Sequence, residues 1–109
     1  QAGVIAAAGL YALDHHINRL AEDHARAIRL GQVLSQLNYV DVVLPVESNI
    51  VIFELKPHCD GEAYLKYLAA SQIKAVRMGP RLIRFVTHLN ISDSDIKHIE
   101  ATISAFKPA

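Results

Sequence analysis

The run Leu82-Ile83-Arg84-Phe85-Val86 places a guanidinium in the middle of residues that otherwise favour burial. Side chains alternate along a strand, so Leu82, Arg84 and Val86 share one face, and Ile83, Phe85 and Thr87 share the other. The Ile-Phe face is expected to pack on helices. The Arg84 face then meets either solvent or a surface that this chain does not supply. A guanidinium among Leu and Val is costly to desolvate unless paired, and its planar fork matches a carboxylate or a phosphate. The alternative is an exposed face on which Arg84 pairs with a local glutamate. Arg81 points away from Arg84 by the same alternation and reads as surface.

No other constellation competes well. Of the six histidines, His15 and His16 are adjacent and point to different faces, while His16 and His24 are too far apart for a pair one helical turn apart. His58, His88 and His98 are scattered. None of these spacings matches a zinc ligand set, and a single cysteine adds little, so no metal site is expected. His24 falls on an apolar stripe and reads as a hydrogen-bonded core histidine. His58, Cys59 and Asp60 are chain neighbours, whereas a nucleophile, base and orienter need side chains that converge. The five glycines are dispersed and form no phosphate loop. Asp93 and Asp95 are explained by a helix start. Arg84 is therefore the one substrate-binding candidate, with no catalytic, cofactor-binding or metal-binding residue expected in this chain.

The elements that must position Arg84 follow from periodicity and caps. Ala2 to Leu13 is Ala-rich and apolar on nearly every side, a pattern of helices buried all round; here it is expected to face another domain or subunit. After the interruption Asp14-His15-His16-Ile17-Asn18-Arg19, the helical period returns with Ile17, Leu20, Ala21, His24, Ala25 and Ile28 on one face. Glu22 and Arg26 form a favourable i,i+4 pair, and Asn38 is a plausible exit. Residues 39–48 read as a connection with a short extended piece ending at Pro45. Asn49 to Leu55 is a near-continuously apolar strand, expected to be central and covered on both faces. Asp60 caps a helix from Gly61 to about Ser71, with Ala63, Leu65, Tyr67 and Leu68 offered to the core. Residues 73–78 form a short strand, joined through Gly79-Pro80 to the Arg84 strand as an antiparallel hairpin. Ser92 and Asp95 make a capping box, and Ile91 and Ile96 a hydrophobic staple. Ile96, Ile99, Ile103 and Phe106 then form one stripe. The expected fold is an α+β two-layer unit: a three-stranded, mainly antiparallel sheet with helices on one face.

The chain has 109 residues, formal net charge zero and 20% charged residues. That bounds it to one domain, 1–109, with leading helices in 1–37 and the sheet and its helices in 49–109. Zero net charge and few aromatics give no field or stacking platform for nucleic acid. The apolar start is too short to span a bilayer and has no basic lead-in. One cysteine excludes an internal disulfide, so the chain reads as soluble and cytoplasmic. A first helix entered at Gln1 without cap or methionine reads as the C-terminal part of something larger.

Three stretches carry a resemblance. "QAGVIAAAGLYALDHHINRLAEDHARA" resembles the opening of the small C-terminal domain of low-specificity L-threonine aldolases. "ESNIVIFEL" looks like the central strand of that domain, and "GPRLIRFVTHLNISDSDI" like its R-x-V-T-H-x-D/N-x-S segment. The likeness covers nearly the whole chain in order and is generic only over the helix from Gly61 to Ser71. The resemblance implies a pyridoxal-phosphate enzyme of the aspartate-aminotransferase-like fold. It implies cleavage of L-threonine or L-allo-threonine to glycine and acetaldehyde, in a homotetramer. The arginine at the position of Arg84 would bind the α-carboxylate of the β-hydroxy amino acid and hold its Cα–Cβ bond perpendicular to the cofactor ring. The Schiff-base lysine and most cofactor contacts would lie in a large domain upstream of Gln1. Lys56, Lys66, Lys74, Lys97 and Lys107 do not sit in that lysine's context, so this chain alone is expected to be inactive. His88 matches the Thr-His pair of the segment without a role to carry over. Three other readings remain: the small domain of another lyase of the same fold, a stand-alone α+β module that binds an amino acid, or a purely structural domain in which Arg84 pairs within the sheet.

Overall fold

The computed structural model describes residues 21–87 and 91–108. The Ala-rich stretch, Ile17, Leu20, His15, His16 and His88 lie outside the described residues. Helix α1 occupies residues 21–35 of the described chain. It is followed by β1 (Val40–Val43), β2 (Ile50–Leu55), α2 (Gly61–Ala70), β3 (Val76–Arg77), β4 (Leu82–Val86) and α3 (Asp93–Ala105).

The sheet has four strands in the order β1-β2-β4-β3, all antiparallel, and not the three expected. The added strand is β1, within the stretch that reads as a connection. It is four residues long, carries Asp41, and its register with β2 shifts between Val40 and Val42. A bulge at a short edge strand breaks the alternation by which strands are recognised. The hairpin joining β3 to β4 is present, closed by the Met78 amide donating to the Leu82 carbonyl at 2.7 Å.

Strand β2 is central, and the described residues cover one of its faces. Val51, Phe53 and Leu55 are buried with Ile83 and Phe85 of β4. They join Leu30 and Leu34 of α1, Tyr64 and Leu68 of α2, and Ile96, Ile99 and Ile103 of α3 in one core. Ile50, on the opposite face, is 37% exposed. Cover is seen on the Val51–Phe53–Leu55 face; on the other face Ile50 is exposed and Ile52 half-buried, and no helix among the described residues packs there.

Two helix faces also differ from expectation. Helix α1 buries Ala27, Leu30 and Leu34, and leaves Ala21, Ala25 and Ile28 outward. This helix is apolar on two sides, and periodicity does not say which side meets its own domain. In α2 the buried residues are Gly61, Tyr64 and Leu68, while Ala63 is exposed and Leu65 and Tyr67 are half-buried.

The caps agree with the residue pattern. The Asp60 side chain accepts from the Glu62 amide at 3.0 Å. Ser92 and Asp95 form the reciprocal capping box of α3, behind which Ile91 packs on the core and Ile96 is buried. Helix α2 ends with Gln72 at φ 64°, in the left-handed region, and the Ile73 amide donating back to the Leu68 carbonyl. Only glycine adopts this conformation without steric penalty. Gln72→Gly is therefore expected to raise stability by about 0.5–1 kcal/mol, less the larger chain entropy glycine adds to the unfolded state. Thermal or urea unfolding of the two forms checks it.

Candidate functional site

Arg84 lies on the open face of β4, cross-strand from Ile52 of β2 and Val76 of β3. The residues of β4 alternate in burial: Ile83 and Phe85 are buried, and Leu82 and Arg84 are half-buried. Around Arg84 this face keeps Ile50, Val76 and Val86 between 37% and 49% exposed. An arginine is thus set in a mostly apolar surface that nothing in the described chain covers.

Among the described residues its guanidinium has no hydrogen-bond or ion-pair partner. The Arg84 Nε is buried without a hydrogen bond, and no ion pair or side-chain hydrogen bond of Arg84 occurs among the described residues. The alternative, a local glutamate paired with Arg84, is not what the side chains do. The glutamate diagonal to Arg84 on β2 is Glu54, and it faces Arg81 instead, with Nη2 at 3.9 Å from Oε1. Arg81 precedes β4, which begins at Leu82, so strand alternation does not bind its direction.

Arg84 also lines a groove of about 510 Å³ beside the β3 edge of β4, together with Lys74, Phe85, His98 and Ile99. That volume is of the size that holds small organic ligands. The groove exists because β3 is only two residues long and covers β4 no further than Arg84. Sequence reading did not single out Lys74 or His98 for this place, since the groove is a product of where β3 stops. The imidazole Nε2 of His98 lies 2.8 Å from the Ser71 carbonyl, which it satisfies as a donor.

The end of β4 is fixed by Thr87. Its hydroxyl donates to the Asp23 carbonyl of α1 at 2.9 Å, with the Asn49 carbonyl also at 3.1 Å. The Asn49 side-chain amide donates back to the Thr87 carbonyl at 2.6 Å. These bonds tie α1, β2 and β4 together three residues beyond Arg84, where a register slip would turn the arginine to the other face. Thr87→Val keeps the volume and removes the donor, and is expected to lower stability by about 1–2 kcal/mol. Thr87→Ser should recover most of that in the same urea titration.

The remaining candidates stay apart. Cys59 is buried with its Sγ 3.7 Å from the Tyr39 carbonyl, and burial pushes its thiol pKa up, the reverse of an activated nucleophile. Asp60 is occupied as a cap and His58 is exposed. His24 is half-buried, with Nε2 donating to the Val46 carbonyl at 3.3 Å. Arg26 pairs within α1 with Asp23 and, at 3.0 Å, with Asp93 of α3. Among the described residues no group of three or more His, Cys, Asp or Glu is placed to hold a metal ion, and no helix is long and apolar enough to cross a membrane.

Fold and site together define a class: a two-layer α+β unit with a half-buried arginine, Arg84, on the open face of its sheet. The beta-eliminating lyase family model matches residues 1–57, and the chain belongs to that family. It is 32% identical to low-specificity L-threonine aldolase 1 of Arabidopsis thaliana, over the whole chain and 30% of that protein. It is 31% identical to the probable low-specificity L-threonine aldolase 2 of the same plant, over 91% of the chain and 29% of that protein. With the low specificity L-threonine aldolase of Escherichia coli K12 it shares 30% identity, over 97% of the chain and 30% of that protein. The chain thus spans about a third of the length of these relatives.

Proposed function

We propose that the protein carrying this chain is a pyridoxal-phosphate-dependent threonine aldolase, that residues 1–109 are its C-terminal small domain, and that Arg84 grips the α-carboxylate of the substrate. The observation that carries this reading is the unclaimed, half-buried guanidinium of Arg84 in an apolar face, in a chain similar along its length to threonine aldolases. A fork of N–H donors binds a carboxylate in a fixed plane, so the grip sets orientation as well as affinity. The apolar residues around it exclude water and strengthen the pair once the face is covered.

The described residues do not build a cradle for the cofactor. Lys66, Lys74, Lys97 and Lys107 are exposed and Lys56 is half-buried, whereas a lysine joined to the cofactor needs a desolvated pocket. Under this proposal the rest of the protein would hold the cofactor, which would supply the electron sink for breaking the Cα–Cβ bond. In this reading the isolated chain is inactive, and the intact protein is a cytoplasmic homotetramer by analogy with the family.

The test is an assay of the intact protein, supplied with pyridoxal phosphate, for acetaldehyde and glycine from L-threonine and L-allo-threonine. A visible absorption band that shifts on adding glycine is expected alongside. A colourless protein that stays so with cofactor and glycine would sink the reading, and leave an amino-acid-binding module. The family match favours one second reading, β-elimination from an amino acid. It keeps the same carboxylate grip and is separated by its products, ammonia and an oxo acid in place of acetaldehyde and glycine.

A further inference from the structure

Two guanidiniums and one carboxylate share the neighbourhood of the open face. Glu54 stands cross-strand from Leu82, and Arg84 from Ile52. Glu54 and Arg84 are therefore diagonal neighbours on one face; such positions lie about 7–8 Å apart, within reach of long side chains. By position alone, Glu54 is the carboxylate that would claim Arg84. It faces Arg81 instead, at 3.9 Å, with the two side chains 43% and 39% exposed. Arg81 is well placed to compete. Its carbonyl accepts from the Leu55 amide at 2.8 Å, which fixes its backbone beside the end of β2, so the root of its side chain is set next to Glu54; its Nε, like that of Arg84, is buried without a hydrogen bond.

We propose that Arg81 is a positioning residue for carboxylate recognition: by holding Glu54, it keeps Arg84 unclaimed for the incoming carboxylate. This rests on the reading of Arg84 as the carboxylate anchor. An arginine engaged by an internal glutamate must release it before it binds a ligand, and the exchange cancels much of the gain. Glu54 left alone would also repel the ligand's negative charge. Arg81 removes both obstacles, so that the face carries one net positive charge where the carboxylate arrives.

The test uses the intact protein, with L-threonine as the carboxylate probe. Arg81→Gln keeps length and removes charge. It is expected to raise KM about 3–5-fold, with the effect in KM rather than kcat, as for a lost or newly competing exposed ion pair. Adding Glu54→Gln to that variant should return KM to within about twofold of the parent, because the competitor is gone. Simple loss of packing by Arg81 would not be repaired by a second substitution. An unchanged KM in Arg81→Gln, or a double variant no better than the single one, overturns the proposal; the latter is also the outcome if Arg81 itself grips the ligand. A second arm needs no substrate. A double-mutant cycle of Glu54→Gln and Arg84→Gln, read as urea midpoints, should show no coupling when Arg81 is present and a coupling when Arg81→Gln is added. No coupling in either background also overturns it. If Arg84→Gln leaves KM unchanged, the carboxylate-anchor reading has failed, and the substrate-free cycle still decides whether Arg81 diverts Glu54 from Arg84.

Discussion

On the carboxylate-anchor reading, Arg84→Ala in the intact protein is expected to lower kcat/KM by about 100- to 10,000-fold, the loss of two charge-assisted hydrogen bonds worth roughly 1.5–3 kcal/mol each. Arg84→Lys should recover only part, since an ammonium is a point charge and does not reproduce the planar fork. Stability is the second readout, and it separates this role from a structural one. Arg84 has no internal hydrogen bond or ion pair among the described residues, so its removal leaves no partner stranded. The urea midpoint should therefore shift by no more than a surface substitution does, about 0.5 kcal/mol. An arginine that served the fold would give the opposite pattern: a marked loss of stability with kcat/KM intact. Steady-state kinetics and urea unfolding of the same two variants decide between them.

Tyr39→Phe is expected to lower stability by about 2–4 kcal/mol, more than Tyr64→Phe, which should cost about 1 kcal/mol. The difference follows from which hydroxyl donates. Tyr39 gives its one proton to the Ile103 carbonyl at 2.6 Å. The 2.9 Å contact between the two hydroxyls must then run from Tyr64 to Tyr39. Removing the Tyr39 oxygen strands a buried carbonyl at the end of α3 and the Tyr64 donor together. Removing the Tyr64 oxygen strands only a lone pair. The rings also pack with Phe106, whose centroid lies 5.1 Å from that of Tyr39 and 4.8 Å from that of Tyr64, so both variants keep the aromatic cluster. Urea midpoints at neutral pH check the order.

The same pair sets an alkaline limit. Burial raises the Tyr39 phenol from its ordinary 10.0 to about 12, and burial pushes Tyr64 up as well. The fold thus favours the neutral phenols. Since these pKa values are raised on folding, the stability they contribute is fully present below about pH 10 and is lost as pH rises through the folded value. Urea midpoints should fall between pH 10 and 12. In Tyr39→Phe combined with Tyr64→Phe the midpoint starts lower, and it should fall less steeply over that window.

Signals carried by a few adjacent residues were legible in the chain alone. Asp60 and the Ser92–Asp95 box announce their helices, because a cap is made within three residues of its own backbone. The alternation in Leu82 to Val86 placed Arg84 opposite the Ile83–Phe85 face before any strand partner was known, and the resemblance of three stretches pointed to the aldolases. What needed the tertiary structure depends on residues far apart in the chain. β1 is a strand only because β2 pairs with it across a bulge. Helix α1 is apolar on two sides, and only contact with Phe53, Phe85 and their neighbours selects Ala27, Leu30 and Leu34 as the inner face. Tyr64 reads as a helical residue like its neighbours until Tyr39, 25 positions away, offers its hydroxyl an acceptor. Glu54 faces Arg81 and not its diagonal neighbour Arg84, a choice of partner that no local pattern encodes. Local patterns encode the type and start of each element. The choice of partner is a long-range matter, settled by which surfaces can be buried together.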